Sequence, residues 1–199
     1  MRTTRVIRLV AISYLFATTP GIAQRHARGV YVDAGSMTTI ADLNSSGSAK
    51  LTGGLFVGGG LWWQPIGGDS SLTVQGDFVW NRQQLHTTQA GSGTNVDLFL
   101  YGLNLDYIFW TRRRIALTIA GGGGAAVLHA WDTTGAIGVR PFARFGLGAR
   151  YAARRRLQLF LQTFGVVYDL PSFPASSVLG RYTHRQSGVG FGLGMTLRL

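Results

Sequence analysis

The sequence predicts an all-β fold: an eight-stranded antiparallel transmembrane up-and-down β-barrel, preceded by a cleavable signal peptide. Three observations carry that expectation. Apolar residues recur at every second position through eight segments of eleven or more residues, the period of a strand with two unlike faces. The segments are joined by alternately short and long connections. Twenty-nine glycines in a chain that is 46% hydrophobic fit neither a helical bundle nor a linker, because glycine weakens helices and ordinary cores alike.

Residues 1–23 have the make-up of an export signal. Arg2, Arg5 and Arg8 form a basic start, and "LVAISYLFA" (9–17) is an apolar run too short to span a bilayer. Pro20 then breaks the helix, and Gly21-Ile22-Ala23 supplies small residues for cleavage. The domain reading is therefore a signal peptide at 1–23 and a barrel at 24–199. Cleavage leaves 16 bases against 8 acids, a net charge of +8. The chain has no cysteine, which excludes disulfides, thiolate metal sites and a cysteine lipid anchor.

The strands follow in order. "RGVYVDAGSMT" (28–38) sets Val30, Val32 and Ala34 against Tyr31, Asp33 and Gly35. "KLTGGLFVGGGLWW" (50–63) sets Leu51, Leu55, Val57, Leu61 and Trp63 against Lys50, Thr52, Gly54, Gly58 and Gly60. In "SLTVQGDFVWN" (71–81), Leu72, Val74, Phe78 and Trp80 alternate with Thr73, Gln75, Asp77 and Asn81. "VDLFLYGLNLDYIFW" (96–110) opposes Phe99, Tyr101, Leu103, Leu105 and Tyr107 to Gly102, Asn104 and Asp106. The run at 115–131 is the one candidate for a membrane helix, but four consecutive glycines weaken it and Arg112, Arg113 and Arg114 precede it, so a strand is expected. "GVRPFARFGLGARY" (138–151), "RLQLFLQTFGVVYD" (156–169) and "GVGFGLGMTLRL" (188–199) complete the set.

Connections 64–70, 111–114 and 152–156 are short; 39–49, 82–95, 132–137 and 170–183 are longer. This is the asymmetry of a membrane barrel with short periplasmic turns, and an even strand count puts both termini on that side. Alternation alone fits a soluble sandwich as well. Lipid is favoured because the strands are long enough to cross a bilayer at a tilt. Aromatics also gather near strand ends (Trp62, Trp63, Trp80, Tyr107, Phe109, Trp110, Trp131, Tyr151) as interfacial girdles, and the second face is polar or tiny. Closure into a ring then satisfies every backbone group away from water. Glycines such as Gly54, Gly58, Gly122, Gly148 and Gly190 are expected to make room for Arg140, Arg144, Phe160 and Tyr31 in a lumen barely wide enough for side chains.

The last residues, "GMTLRL", resemble the C-terminal insertion signal of outer-membrane barrels, with Gly194, Leu197 and Leu199 at its marked positions and Leu199 where a terminal Phe is typical. Over residues 24–199 the chain resembles the small eight-stranded outer-membrane barrels of the OmpA, OmpX and opacity-protein group. That resemblance implies an outer-membrane location, insertion by the barrel assembly machinery, and contact with outer-membrane lipid and lipopolysaccharide as a monomer.

By phase, Asp33, Asp77, Asp97 and Asp106 are expected in the lumen with Arg140, Arg144, Arg150 and Arg198, forming an ion-pair network. Asp77 and Arg144 fall near mid-height, Asp106 and Arg150 near the turn-side rim. Pairing is required because a lone buried charge costs several kcal/mol. Arg112, Arg113, Arg114, Arg154, Arg155 and Arg156 crowd two turns of one rim, where anionic headgroups attract about 1 kcal/mol per charge; solvated turns are the alternative. Arg181 and Arg185 in the last long connection are candidates for lipopolysaccharide phosphates. Nucleic acid is excluded as a partner, since the bases are not gathered on one accessible patch.

Chemistry is thinly represented. Lipid A deacylases, which resemble such barrels, use a His-x-Ser pair with a Glu. Here His184 and Ser187 stand three apart, on opposite strand faces, and the chain has no Glu, leaving Asp169 as the acid. His26, His86 and His129 lack ligand spacing. The glycine runs at 121–124 and 54–60 lack the Lys and Ser/Thr of a phosphate loop. No cofactor or catalytic site is expected. The leading expectation is a non-enzymatic membrane component with a structural or surface-interaction role; a lipid-modifying enzyme and a narrow channel are the alternatives.

Overall fold

The computed structural model describes residues 27–40, 49–65, 72–87, 90–132, 135–173, 175–177, 179 and 185–199. The expected signal peptide lies outside them, as do His26, Arg181 and His184. The strands are β1 (Arg28–Thr39), β2 (Ala49–Thr52), β3 (Gly54–Trp63), β4 (Leu72–Thr87), β5 (Ala90–Arg112), β6 (Ile115–Ala130), β7 (Ile137–Ala152), β8 (Leu157–Asp169) and β9 (Arg185–Arg198). β2 and β3 both pair with β4 and are two pieces of one barrel strand, so the ring has eight members. Every pairing is antiparallel. β1 lies between β3 and β9, and β4 bonds to β5, which closes the sheet. The run beginning at Ile115 is strand β6, not a helix.

The break between β2 and β3 corrects one face assignment. Thr52 faces Gln84 and Phe56 faces Asn81, so residues 53–55 oppose only 82 and 83. An extra residue in one strand reverses the alternation beyond it. Leu51, expected outside, therefore points inward and is fully buried, while Leu55, Val57 and Leu61 remain outside. Asn81 repairs the interrupted ladder: its Nδ2 donates to the carbonyls of Gly54 and Leu55 at 3.1 and 3.0 Å.

The connection expected at 82–95 is also different. β4 runs on to Thr87 and β5 starts at Ala90, with the ladder continuous from Leu72↔Tyr107 to Leu85↔Thr94. Polar side chains on an extended hairpin meet water without disturbing its backbone bonds, so polarity there did not mark a loop.

The outer face is a band of exposed apolar side chains, among them Leu55 at 77%, Leu103 at 66%, Phe145 at 64% and Leu193 at 60% exposure. So large a continuous apolar surface has no counterpart on a soluble monomer; it is the lipid-facing band of a membrane barrel. Trp63, Tyr107, Phe109, Trp110 and Tyr151 edge it near the short turns, and Trp131 edges it at the other end. Trp62 does not join them: it turns inward and lies where a side chain at Gly29 would stand.

The lumen is not uniformly polar. Its half toward the short turns holds polar and charged side chains. The half toward the long connections is dominated by an apolar plug of Met37, Phe56, Leu98, Leu128, Phe142 and Phe164 with their neighbours, with Asn81, Gln83 and Gln186 also buried there. Leu170, Phe173 and Leu179, from the β8–β9 connection, join this cluster. Such an interior core adds hydrophobic burial to what the sheet alone provides, at about 25 cal/mol per Å² removed from water.

The alternating glycines of β9 form a slot for aromatic rings. Phe164 packs over Gly190, Phe56 over Gly192 and Phe160 over Gly194, and a Cβ at any of these positions would overlap the ring. Phe56 and Phe164 meet edge to face with centroids 5.5 Å apart, a favoured aromatic geometry. The two-faced C-terminal stretch is thus apolar toward lipid and bare toward the rings that fill the barrel.

Candidate functional site: the lumenal polar network

The network is built by strand alternation, which aims every second residue into the lumen. β1 supplies Tyr31 and Asp33, β4 supplies Gln75 and Asp77, and β5 supplies Asn104 and Asp106. β7 contributes Arg144 and Arg150, and β8 contributes Gln162. Asp77 is the hub. Its Oδ2 lies 3.1 Å from Nη1 of Arg144, and the hydroxyl of Tyr31 and the amide of Asn104 also donate to it. Nearer the turns, Nη2 of Arg150 lies 2.5 Å from Oδ2 of Asp106, which Gln75 Nε2 also approaches at 3.4 Å. Asp33 accepts from Gln162 Nε2 at 2.6 Å. The Arg144 guanidinium stands 4.0 Å over the Phe164 ring, so one side chain joins the polar half to the apolar plug.

Asp33, Asp77 and Asp106 are 5%, 9% and 6% exposed. Charges buried this deeply need partners with good geometry, because the desolvation penalty is several kcal/mol per ion. The free space among these residues is about 30 Å³, room for about two waters. The arrangement can brace opposite walls of the barrel.

The structure brings Asp77 to Arg144 and Asp106 to Arg150, and leaves the other expected members apart. Asp33 is held by a glutamine rather than an arginine. Asp97 is outside the barrel. It shares the outward phase of Phe99 and Tyr101, its Oδ1 lies 2.9 Å from Nε of Arg82 on the neighbouring strand, and Trp131 Nε1 donates to it at 2.8 Å. Covered by these neighbours it is only 3% exposed, which is how a charge is kept at the edge of an apolar face. Arg140 occupies an inward position at the loop end, is exposed there, and places Nη2 3.5 Å from Ser172 Oγ. Arg198 is exposed at the turn-side rim. Both reach water, so neither needs an acid. Gly194 faces inward beneath Phe160, and Leu197 and Leu199 face outward.

Tyr31, Gln75, Asn104 and Gln162 add hydrogen bonds to the network, although sequence reading assigned it to charges alone. Their inward phase was the available signal. Arg82 was missed too, although it stands directly across from Asp97 in the β4–β5 register. Arg112, Arg113, Arg114, Arg154, Arg155 and Arg156 are all exposed on two neighbouring turns. Asp169, the acid that a His184–Ser187 pair would require, is bound by Arg185 at 3.0 Å on the exposed end of β8. Among the described residues no three His or Asp side chains gather in a way that could hold a metal ion.

Comparison with protein-family models finds no match, and comparison with curated proteins finds none. Solved structures do match. Neisserial surface protein A superposes with a TM-score of 0.65 at 14% identity, over 86% of this chain and 97% of that one. Ail, the attachment invasion locus protein of Yersinia pestis, solved in complex with the heparin analogue sucrose octasulfate, gives a TM-score of 0.50 at 11% identity, over 87% of this chain and 99% of that one. Identities this low speak to architecture alone. With its closed ring and outward apolar band, the chain has the fold of the small eight-stranded outer-membrane β-barrels.

Proposed function

We propose that this protein is an exported integral component of the outer membrane, serving a structural or surface-interaction role through its long-connection end, without catalysis and without conduction. The observation that carries this reading is the inversion of the fold: large apolar side chains cover the outside while ions and amides are buried inside. Only a hydrocarbon solvent stabilises that arrangement. The plug of Phe56, Phe142 and Phe164 across the lumen supports a closed barrel. The engagement of Asp169 with Arg185 supports a non-enzymatic role for that end. Outer-membrane lipid and lipopolysaccharide are the surroundings this reading implies, with barrel assembly machinery as the partner of insertion and a monomer as the working form.

The test is fractionation of the expressed protein together with its gel mobility. Recovery with outer membranes, and faster migration of the unboiled than the boiled protein, is expected. Recovery as a water-soluble species that needs no detergent contradicts the proposal.

A further inference from the structure

The two ends of the barrel treat their arginines differently. At the long-connection end, exposed Arg82 and Arg185 are each neutralised by an aspartate, at 2.9 and 3.0 Å. At the turn end, eight exposed arginines have no acid in contact among the described residues: Arg112–Arg114, Arg154–Arg156, Arg198 and Arg28. Among the described residues, the aspartate close to that rim is Asp106, which is buried and held by Arg150.

These arginines form one arc. The amide of Ala152 donates to the carbonyl of Arg114 at 2.8 Å, tying the β7–β8 turn to the β5–β6 turn. The amide of Arg198 donates to the carbonyl of Arg156 at 2.8 Å, and that of Leu199 to the carbonyl of Arg28 at 2.9 Å. The turns are too short to carry the charges away from the bilayer, and Trp110 and Tyr151 lie directly beside them on the outer face. A guanidinium arc fixed at the border of an apolar band meets phosphate at the level of lipid headgroups, where bidentate hydrogen bonding suits arginine better than lysine.

We infer that this arc is a binding site for the phosphates of anionic glycerophospholipids in the leaflet that surrounds the turns. The inference rests on the membrane reading above. It commits to lipid rather than to a soluble anion because the arc continues the aromatic edge of the lipid-facing band. At the opposite rim Arg82 and Arg185 are already paired with aspartates, and Arg140 is turned toward the lumen and reaches Ser172.

The experiment uses the folded full barrel in nanodiscs, with lipid-borne bromine as a quencher of tryptophan fluorescence. One variant keeps only Trp110, at the turn end, and another keeps only Trp131, at the other end, with phenylalanine replacing the remaining tryptophans. At equal mole fraction, brominated phosphatidylglycerol is expected to associate beside Trp110 about fivefold more strongly than brominated phosphatidylcholine, with no preference beside Trp131. Replacing Arg112–Arg114 and Arg154–Arg156 by glutamine abolishes the preference, and 1 M salt weakens it by screening. Should that sixfold variant lose its heat-modifiable gel mobility, the Arg154–Arg156 triple alone is expected to reduce the preference by at least half. Equal quenching by the two lipids beside Trp110, or a preference that survives the glutamines, overturns the site. Polyphosphate binding that is as strong in phosphatidylglycerol discs as in phosphatidylcholine discs overturns lipid as the occupant. Failure of either lipid to quench either tryptophan instead overturns the membrane reading itself.

Discussion

Arg144 crosses the lumen from β7 to reach Asp77 on β4, Nη1 to Oδ2 3.1 Å, with both side chains almost wholly buried. The same guanidinium lies over Phe164. Arg144→Met leaves Asp77 buried with its cation gone, and a broken buried pair costs about 3–5 kcal/mol. Denaturant unfolding in detergent micelles should show that loss. Adding Asp77→Leu to Arg144→Met should recover most of it, because replacing both members by apolar groups removes the unpaired charge.

The glycine slot of β9 gives a second prediction. Gly190 lies beneath the Phe164 ring, and Gly190→Val forces the ring out of a packed lumen. Overpacking costs about 1–3 kcal/mol, to be read from the midpoint of urea unfolding. Trimming the opposing ring with Phe164→Leu in the same chain should return part of the stability, which a purely backbone effect would not allow.

Closure of the lumen is checked by conductance. The wild-type barrel should show no steady single-channel current in planar bilayers. Phe142→Ala with Phe164→Ala removes two rings from the plug, at about 3–5 kcal/mol each in stability, and should admit intermittent current. Steady current through the wild type would show that the plug does not seal.

One turn carries local strain. Arg113 has a φ of 55°, in the left-handed region that costs an ordinary residue roughly 1 kcal/mol and glycine little. Arg113→Gly should therefore raise the unfolding free energy slightly, by up to about 1 kcal/mol, while the neighbouring Arg114→Gly should not.

Most of the fold was legible from period two. The strands from Arg28 to Thr39, Ile115 to Ala130 and Leu157 to Asp169 lie within a residue or so of where the alternation puts them. What stayed hidden has physical causes. The bulge at Gly53 leaves no mark in composition, because Gly54, Gly58, Gly59 and Gly60 follow so closely, and so Leu51 was placed on the wrong face. The apolar plug was concealed where both faces are greasy: Leu98 and Leu100 point in while Phe99 and Tyr101 point out, and a continuous apolar run has no visible phase. In the candidate site, the charged pairs of Asp77 and Asp106 followed from phase. Asp97 did not: it was assigned inward by phase, yet it shares the parity of Phe99 and Tyr101, which face out. The tryptophan and arginine that cover it come from neighbouring strands, which a single segment cannot show.

The central claim is that hydrocarbon covers the outside of this barrel. The chain has no cysteine, so single nitroxide labels can be placed at will on β5, with L103C reporting the outer face and N104C the lumen. In vesicles, the label at 103 should be relaxed strongly by oxygen and weakly by a water-soluble nickel chelate, with the label at 104 shielded from both. Strong relaxation of the 103 label by the nickel chelate would place that face in water and contradict the account.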